Sequence, residues 1–336
     1  MTATSTVASV EHAIGAAGLF SLRLRDGDLR IRAVDGETIR ISETHGHDLS
    51  EMFVIELGEG SASLRSTHGT TVLGIRRHGH APDLAVDLPR GATIVVESTS
   101  AGVRADGLLG DQRYRTVSGD LTLSAVSGRI AIEAVSGDVK VSAIGETDVA
   151  LRTVSGDVEL RAGTLRSLRS TTTSGDLKVA GRLLGPGPFS VETVSGDALI
   201  APAGEVRIEM TTMSGDLRSD VDGRAAGGRG QRSLSIGTGG PLLTFRSMSG
   251  DLRVVRPTRI DMPDVPAPTA LPALPAPAAP AVMVDDDPRL PILRALERGE
   301  IDVAEAGRRL EVLDDVSSVD PASDTTRTPV AGRTDA

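Results

Sequence analysis

The sequence predicts an all-β protein whose body is a single-stranded β-solenoid, with two strands per rung of about 19 residues. Three observations carry this prediction. The tripeptide Ser-Gly-Asp returns seven times at a nearly constant period, and apolar and polar residues alternate on both sides of it. The 336 residues include four Phe, one Tyr and no Trp, so the core must be built mainly from aliphatic side chains. An irregular β N-terminal cap, a Pro-rich linker and a small C-terminal helical hairpin complete the expected fold.

Residues 1–17 read as a disordered N-terminus. Met1 to Phe20 contains no Lys or Arg and only short apolar runs, so it lacks the parts of a secretory signal. No window approaches the ~18 uninterrupted apolar residues that span a bilayer. These features predict no transmembrane segment and a cytoplasmic location, free or peripheral to the envelope.

Residues 18–99 read as the irregular β cap. Ser21 to Ser42 alternates around Asp26-Gly27-Asp28 and Asp35-Gly36-Glu37, and further strands are expected at Met52 to Leu57, Leu84 to Leu88 and Thr93 to Ser98. The segment lacks the regular period. A cap is required because a bare terminal rung exposes unpaired backbone.

Residues 100–256 read as the solenoid. The repeats are Ser118-Gly119-Asp120, Ser136-Gly137-Asp138, Ser155-Gly156-Asp157, Ser174-Gly175-Asp176, Ser195-Gly196-Asp197, Ser214-Gly215-Asp216 and Ser249-Gly250-Asp251, spaced by 18, 19, 19, 21, 19 and 35 residues. After each Asp comes a half-buried strand, as in Val139-Lys140-Val141 and Leu177-Lys178-Val179. Before each Ser runs a second strand, as in Leu151-Arg152-Thr153-Val154 and Phe245-Arg246-Ser247-Met248. Ser-Gly-Asp supplies the corner, since Gly takes positive φ freely and Ser and Asp bond local backbone groups. A second corner falls near Gly128, Gly145, Gly163, Gly181 and Gly204, halfway round each period. Rungs then stack ~4.8 Å apart, in an interior too narrow to favour rings. The run from Asp222 to Gly230 breaks the period and reads as a flexible projecting loop.

The recurrent Val-Ser-Gly-Asp-Val and Val-Ser-Gly-Asp-Leu turns follow the segment Leu84-Ala85-Val86-Asp87-Leu88-Pro89-Arg90-Gly91-Ala92. Together they resemble the bacterial adhesin-like β-solenoid family of uncharacterised function, over roughly residues 18–256. The resemblance implies a right-handed coil of short strands, no established catalytic residues, and relatives both at the envelope and in the cytoplasm, some tied to envelope stress. The 35-residue gap before Ser249 departs from the regular pattern.

Residues 257–287 read as a Pro/Ala-rich linker. Met262 to Pro280 holds seven prolines in 19 residues. An extended spacer of that length reaches ~60 Å. Residues 288–314 read as a helical hairpin, with Asp302 capping its second helix and Glu305 closing a capping box. Ile292 to Leu313 resembles a short helix-pair domain, which implies oligomerisation. Leu293, Leu296, Val303, Leu310 and Leu313 are its candidate partner-binding residues, through a protein partner or self-association. Residues 315–336 read as a disordered tail.

The chemistry weighs against catalysis. A net charge of −10 argues against nucleic acid as a partner, and the lack of Cys removes thiolate metal sites and cysteine nucleophiles. The Asp ladder could in principle recruit calcium, but one carboxylate and one hydroxyl per corner fall short of the six to eight oxygens about such an ion. Turn chemistry is therefore its expected role. His45-Gly46-His47 and His78-Gly79-His80 could together offer four imidazoles to zinc, with His68 as an extra ligand. Intervening glycines point instead to loops, so no metal and no cofactor are expected. Gly58-Glu59-Gly60 lacks the Gly-Lys-Ser/Thr of a phosphate loop, and each repeated Ser lacks a His partner. The expected function is a non-catalytic scaffold or protein-interaction module, linked through its resemblance to envelope stress or organisation. An envelope-associated adhesin or carbohydrate-binding module is the alternative, and a polysaccharide-acting enzyme a third reading.

Overall fold

The computed structural model describes residues 9–67, 81–185, 187–228 and 230–257. It is all-β apart from a single turn of helix. In chain order the elements are β1 (Ser9–Ala13), β2 (Leu19–Val34), β3 (Thr38–Glu43), α1 (Leu49–Met52), β4 (Phe53–Gly58), β5 (Ser61–Ser66), β6 (Asp83–Pro89) and β7 (Thr93–Asp106). The central coil comprises β8 (Gln112–Ser118), β9 (Leu121–Ser136), β10 (Val139–Ser155), β11 (Val158–Ser174), β12 (Leu177–Leu183), β13 (Phe189–Ser195) and β14 (Ala198–Pro202). The last group is β15 (Val206–Ser214), β16 (Leu217–Ser219), β17 (Arg224–Gly228), β18 (Gln231–Ile236), β19 (Leu242–Ser249) and β20 (Leu252–Val254). No helix of the described residues is long and apolar enough to cross a membrane.

The coil is built as its repeat dictates. β10 pairs in parallel with β9 on one side and β11 on the other, so that Val139 faces both Leu121 and Val158, and Leu151 faces both Ile132 and Ser170. The two strands expected per rung are the two arms of one bent strand. The bend in β10 falls at Gly145, which has a φ of +64°, where the register shifts between Ala143 and Glu146. Along β10 the inward set Val139, Val141, Ala143, Val149 and Leu151 is buried and the residues between face outward, as period-two alternation requires.

The other corner is Ser-Gly-Asp. Gly156 has a φ of +118°, and a Cβ placed on it would lie 2.2 Å from the carbonyl oxygen of Gly137 one rung below. Stacking therefore demands glycine here for two reasons, the backbone conformation and the closeness of the next rung.

The interior holds more rings than expected. Phe20, Phe53, Tyr114, Phe189 and Phe245 are all buried, which accounts for every aromatic side chain in the protein. They lie toward the two ends, while the inward positions of β9 to β12 are aliphatic apart from Thr147, Thr153, Ser170 and Thr172. Tyr114 donates to Gln112 Oε1 at 3.0 Å, and Gln112 Nε2 reaches the carbonyls of Leu108, Gly110 and Ser127. That network satisfies the buried phenol, whose pKa burial pushes up.

Both ends are interleaved, and two expectations change as a result. Residues 18–99 are not wholly irregular. β2 is a complete rung that pairs with β7 from Leu19 to Arg32, while its other edge takes β5 and then β6. It thus occupies a slot between stretches that follow one another in sequence. Antiparallel pairs β1–β3, β3–β6 and β4–β5 close this end. At the far end β15 pairs with β19, and β19 fills the slot between β13 and β15. The 35-residue spacing is the excursion that leaves this slot and returns to it. The expected flexible loop is a hairpin of β17 and β18, with β18 lying antiparallel on β15. The edge of β15 needs such a cover, since an uncovered edge would template further pairing.

The N-terminus expected to be disordered over residues 1–17 is ordered from Ser9, because β1 pairs with β3 and Ile14 is buried in the core. Residues up to 8 lie outside the described residues, as do the linker from residue 258 onward, the helical hairpin of residues 288–314 with Leu293, Leu296, Val303, Leu310 and Leu313, and the expected disordered tail from 315. His68, His78 and His80 lie outside them too.

Candidate binding surface

At the Ser-Gly-Asp corner the aspartates form a hydrogen-bonded ladder. Oδ1 of Asp120 accepts from the backbone N–H of Asp138, and the same bond links Asp138 to Asp157, Asp157 to Asp176, Asp176 to Asp197, Asp197 to Asp251 and Asp251 to Asp216, at 2.8 to 3.1 Å. The order of these partners repeats the interleaving, with Asp251 between Asp197 and Asp216. Turn chemistry thus occupies the carboxylates. At the last rung Arg232 and Arg218 flank Asp216, and its hydrogen bond with Arg232 holds its carboxyl below the usual range.

Two residues before each Ser sits a small inward side chain. Thr153, Thr172 and Thr212 each donate through Oγ1 to the carbonyl of the Ser that follows, at 3.0 to 3.3 Å. Immediately before Ser the side chain faces outward, and at that position the sequence places Val117, Val135, Val154, Thr173, Val194, Met248 and Met213 in stacking order. The six apolar members are between 44% and 82% exposed. Stacked rungs turn them into an apolar stripe along the coil.

Three residues before Ser, a second outward column runs beside the stripe. It reads Glu97, Arg115, Glu133 and Arg152, then Thr171, Glu192, Arg246 and Thr211, and Arg23, three residues before Asp26, continues it in β2. Arg23 meets Glu97 at 2.8 Å, and Arg115 meets Glu133 at 3.1 Å. Parallel stacking sets each residue beside its own counterparts, and alternation of sign relieves the repulsion that like charges would suffer there.

Between the two columns lies an open groove of about 650 Å³, with Arg115, Glu133 and Arg152 on one wall and Val117, Val135 and Val154 on the other. A second groove of about 350 Å³ continues it past Thr171, bordered by Glu192, Val194, Arg246 and Met248. The sequence signal for this surface was an apolar residue out of phase. In Leu151-Arg152-Thr153-Val154, Leu151 fixes which residues point inward, so Val154 must face solvent.

Of the histidines, the structure brings His45 and His47 together. They lie on the loop after β3, beside Glu43, a residue that composition and spacing did not single out. Burial acts to raise the Glu43 carboxyl pKa, but hydrogen bonds from the backbone and ring of His47 and from the backbone of His45 outweigh it and hold the carboxyl low.

Residues 64–255 match the model of the family described as Toastrack DUF4097. No curated protein matches the sequence. Among solved structures the chain is similar to a candidate adhesin from Bacteroides fragilis NCTC 9343, at 11% identity over 73% of this chain and 95% of that one, with a TM-score of 0.40. It is also similar to a candidate cell adhesion protein from Clostridium sporogenes ATCC 15579, at 8% identity over 74% and 99% of the two chains, with a TM-score of 0.23. A third, a candidate lipid binding protein from Parabacteroides distasonis ATCC 8503, shares 11% identity over 74% and 96%, with a TM-score of 0.27.

Proposed function

The chain belongs to the Toastrack DUF4097 family, and from that premise we propose that it is a non-catalytic interaction scaffold whose outer apolar stripe is a protein-binding face. The observation that carries this reading is the row of exposed Val and Met residues, which a solvated sheet face has no reason to repeat on six rungs. The Asp corners, repeated on seven rungs, are engaged in structural ladders, and that engagement accounts for their repetition without calling on catalysis.

The occupant we assign to the face is a second copy of this chain. Its columns repeat at the interstrand spacing of ~4.8 Å, and another such sheet face has the matching period. The Glu and Arg column is also self-complementary. Under a two-fold axis, Glu133 of one copy meets Arg115 or Arg152 of the other, while the Val stripes pack together. A sugar-binding role finds less support, because all five aromatic rings are in the core and none is available for stacking.

Sedimentation of the full chain tests the reading. A dimer is expected, with Val135→Asp combined with Val154→Asp giving a monomer that keeps the parent's β circular dichroism and loses the concentration dependence of its melting temperature, since both side chains point outward. A monomeric parent protein, or an unchanged mass in the variant, overturns it. A chain lacking residues 288–314, run alongside, separates association through the expected hairpin from association through this face. Fractionation of the native cell tests the expected cytoplasmic location against an envelope one.

A further inference from the structure

The loop between β3 and α1 carries a cluster that the interaction surface does not use. Glu43 ends β3 and lies opposite Leu84 of β6, and its side chain is fully buried. One of its oxygens, Oε2, accepts the backbone N–H groups of both His45 and His47, each at 2.8 Å. This folds the loop so that both imidazoles turn Nδ1 toward the same carboxylate. His45 Nδ1 lies 3.4 Å from Oε1, and His47 Nδ1 lies 3.3 Å from Oε2. Asp83 opens β6 beside them, with Oδ2 at 3.7 Å from His45 Nδ1. The pairing of the two strands fixes it there, since Thr44 donates its backbone N–H to the Asp83 carbonyl at 2.9 Å.

As hydrogen bonds these contacts sit at the long end of a range that centres near ~2.9 Å. His45 Nδ1 and Oε1, the carboxylate oxygen that accepts neither histidine backbone N–H, stand about one tetrahedral edge apart, and one ligand atom from each of Glu43, His45 and His47 lies within 4.8 Å of the others. Bonds of about 2.0–2.1 Å to imidazole nitrogen and carboxylate oxygen place neighbouring ligand atoms roughly 3.3 Å apart. The donor set of imidazoles and carboxylates suits zinc and its neighbours, and offers too few oxygens for calcium or magnesium. Glu43 is also already oriented by the two backbone N–H groups, the kind of outer support that ligating carboxylates have in built sites. We propose that Glu43, His45 and His47 bind a divalent transition-metal cation of the zinc type, with Asp83 flanking the site and water completing the coordination.

The test uses the full-length, untagged protein, stripped of metal with chelator and titrated calorimetrically with zinc chloride, with magnesium and calcium as controls. One zinc ion per chain is expected, together with a melting temperature that rises with zinc and is indifferent to the controls. His45→Gln and His47→Gln keep the backbone N–H groups that Glu43 holds, so the metal-free variants should melt like the parent. In each, zinc affinity should weaken roughly tenfold or more, and in the double variant the zinc-dependent rise in melting temperature should vanish. Cobalt in place of zinc should give the visible absorption of a four-coordinate site in the parent and lose it in the double variant. Failure of the parent to bind zinc at micromolar concentration, or undiminished binding by the double variant, overturns the proposal.

Discussion

Asp157 donates its backbone N–H to Oδ1 of Asp138 at 3.1 Å, while its carbonyl accepts the N–H of Val139 at 2.9 Å. One residue thus joins its rung to the one below twice, and its own Oδ1 continues the ladder by accepting from Asp176 at 2.9 Å. The acceptor is what this position requires. Asp157→Asn keeps it and removes one of a column of like charges, so stability should hold or rise slightly. Asp157→Ala leaves the Asp176 N–H without its partner and should cost about 1 kcal/mol in denaturant unfolding. Calcium should not move the melting temperature, because the carboxylates already serve backbone donors. A rise of several degrees with calcium would give the ladder an ion-binding role instead.

Glycine does different work at the two corners of a rung. At Gly156 positive φ coincides with a neighbouring carbonyl 2.2 Å from the position of a Cβ, whereas at Gly145 φ is +64° and nothing lies within 4 Å. Gly145→Ala should therefore cost only the conformational penalty, about 1 kcal/mol. Gly156→Ala should cost on the order of 3 kcal/mol or more, because rungs must separate to admit the methyl group. Equal losses at the two sites, measured by chemical denaturation, would show that stacking contributes nothing to the requirement.

Acid should weaken the coil through two carboxylates. At Asp148, partial burial works to raise the pKa, and the hydrogen bonds of Arg166 and Ser167 with the charge of Arg166 more than reverse it. At Asp216 the hydrogen bond and charge of Arg232 do the same work of lowering. Folded values below unfolded ones mean that this contribution is complete above the unfolded carboxyl value of about 4, and is lost as pH falls through the folded values. Melting temperature followed downward from pH 6 should drop most steeply below pH 4. Asp148→Asn and Arg232→Ala should each shallow that limb, and an unchanged limb in both would remove these pairs from the acid response.

Much of this architecture was legible because a repeat speaks several times. The seven Ser-Gly-Asp turns with their alternating flanks gave the corners, the arms and the inward residues, from Val139 and Val141 to Leu252 and Val254. The order of the rungs was not legible. Period counts sequence distance, while β19 and β2 enter slots between rungs adjacent in sequence, a choice made by tertiary pairing alone. Asp26-Gly27-Asp28 did announce the corner of β2 without the regular spacing to identify it as a rung. The His45 and His47 pair was visible as a motif. Its partner Glu43 lacked any signal, because an acidic residue ending a strand looks solvated until the strand beside it buries its side chain.

The interleaved far end leads to the last prediction. β18 covers β15 through six registered pairs from Val206 to Thr211, and Leu234 on it is buried beneath the last rung. β17 then lies outside β18 as a short edge whose residues are all exposed. Replacing residues 223–236 by a short Gly-Ser linker removes the burial of Leu234, worth about 2 kcal/mol, and frees the N–H and C=O groups along one side of β15. The main effect should appear in association more than in melting. A parallel coil with a bare end offers the same ladder that every internal rung uses, so a second coil can pair there through backbone groups alone. Light scattering of the variant should show mass increasing with concentration beyond that of the parent, and adding Val135→Asp with Val154→Asp should leave this increase intact, because it runs through the end of the coil and not through its face. A variant with the mass and melting temperature of the parent would mean that β17 and β18 protect nothing.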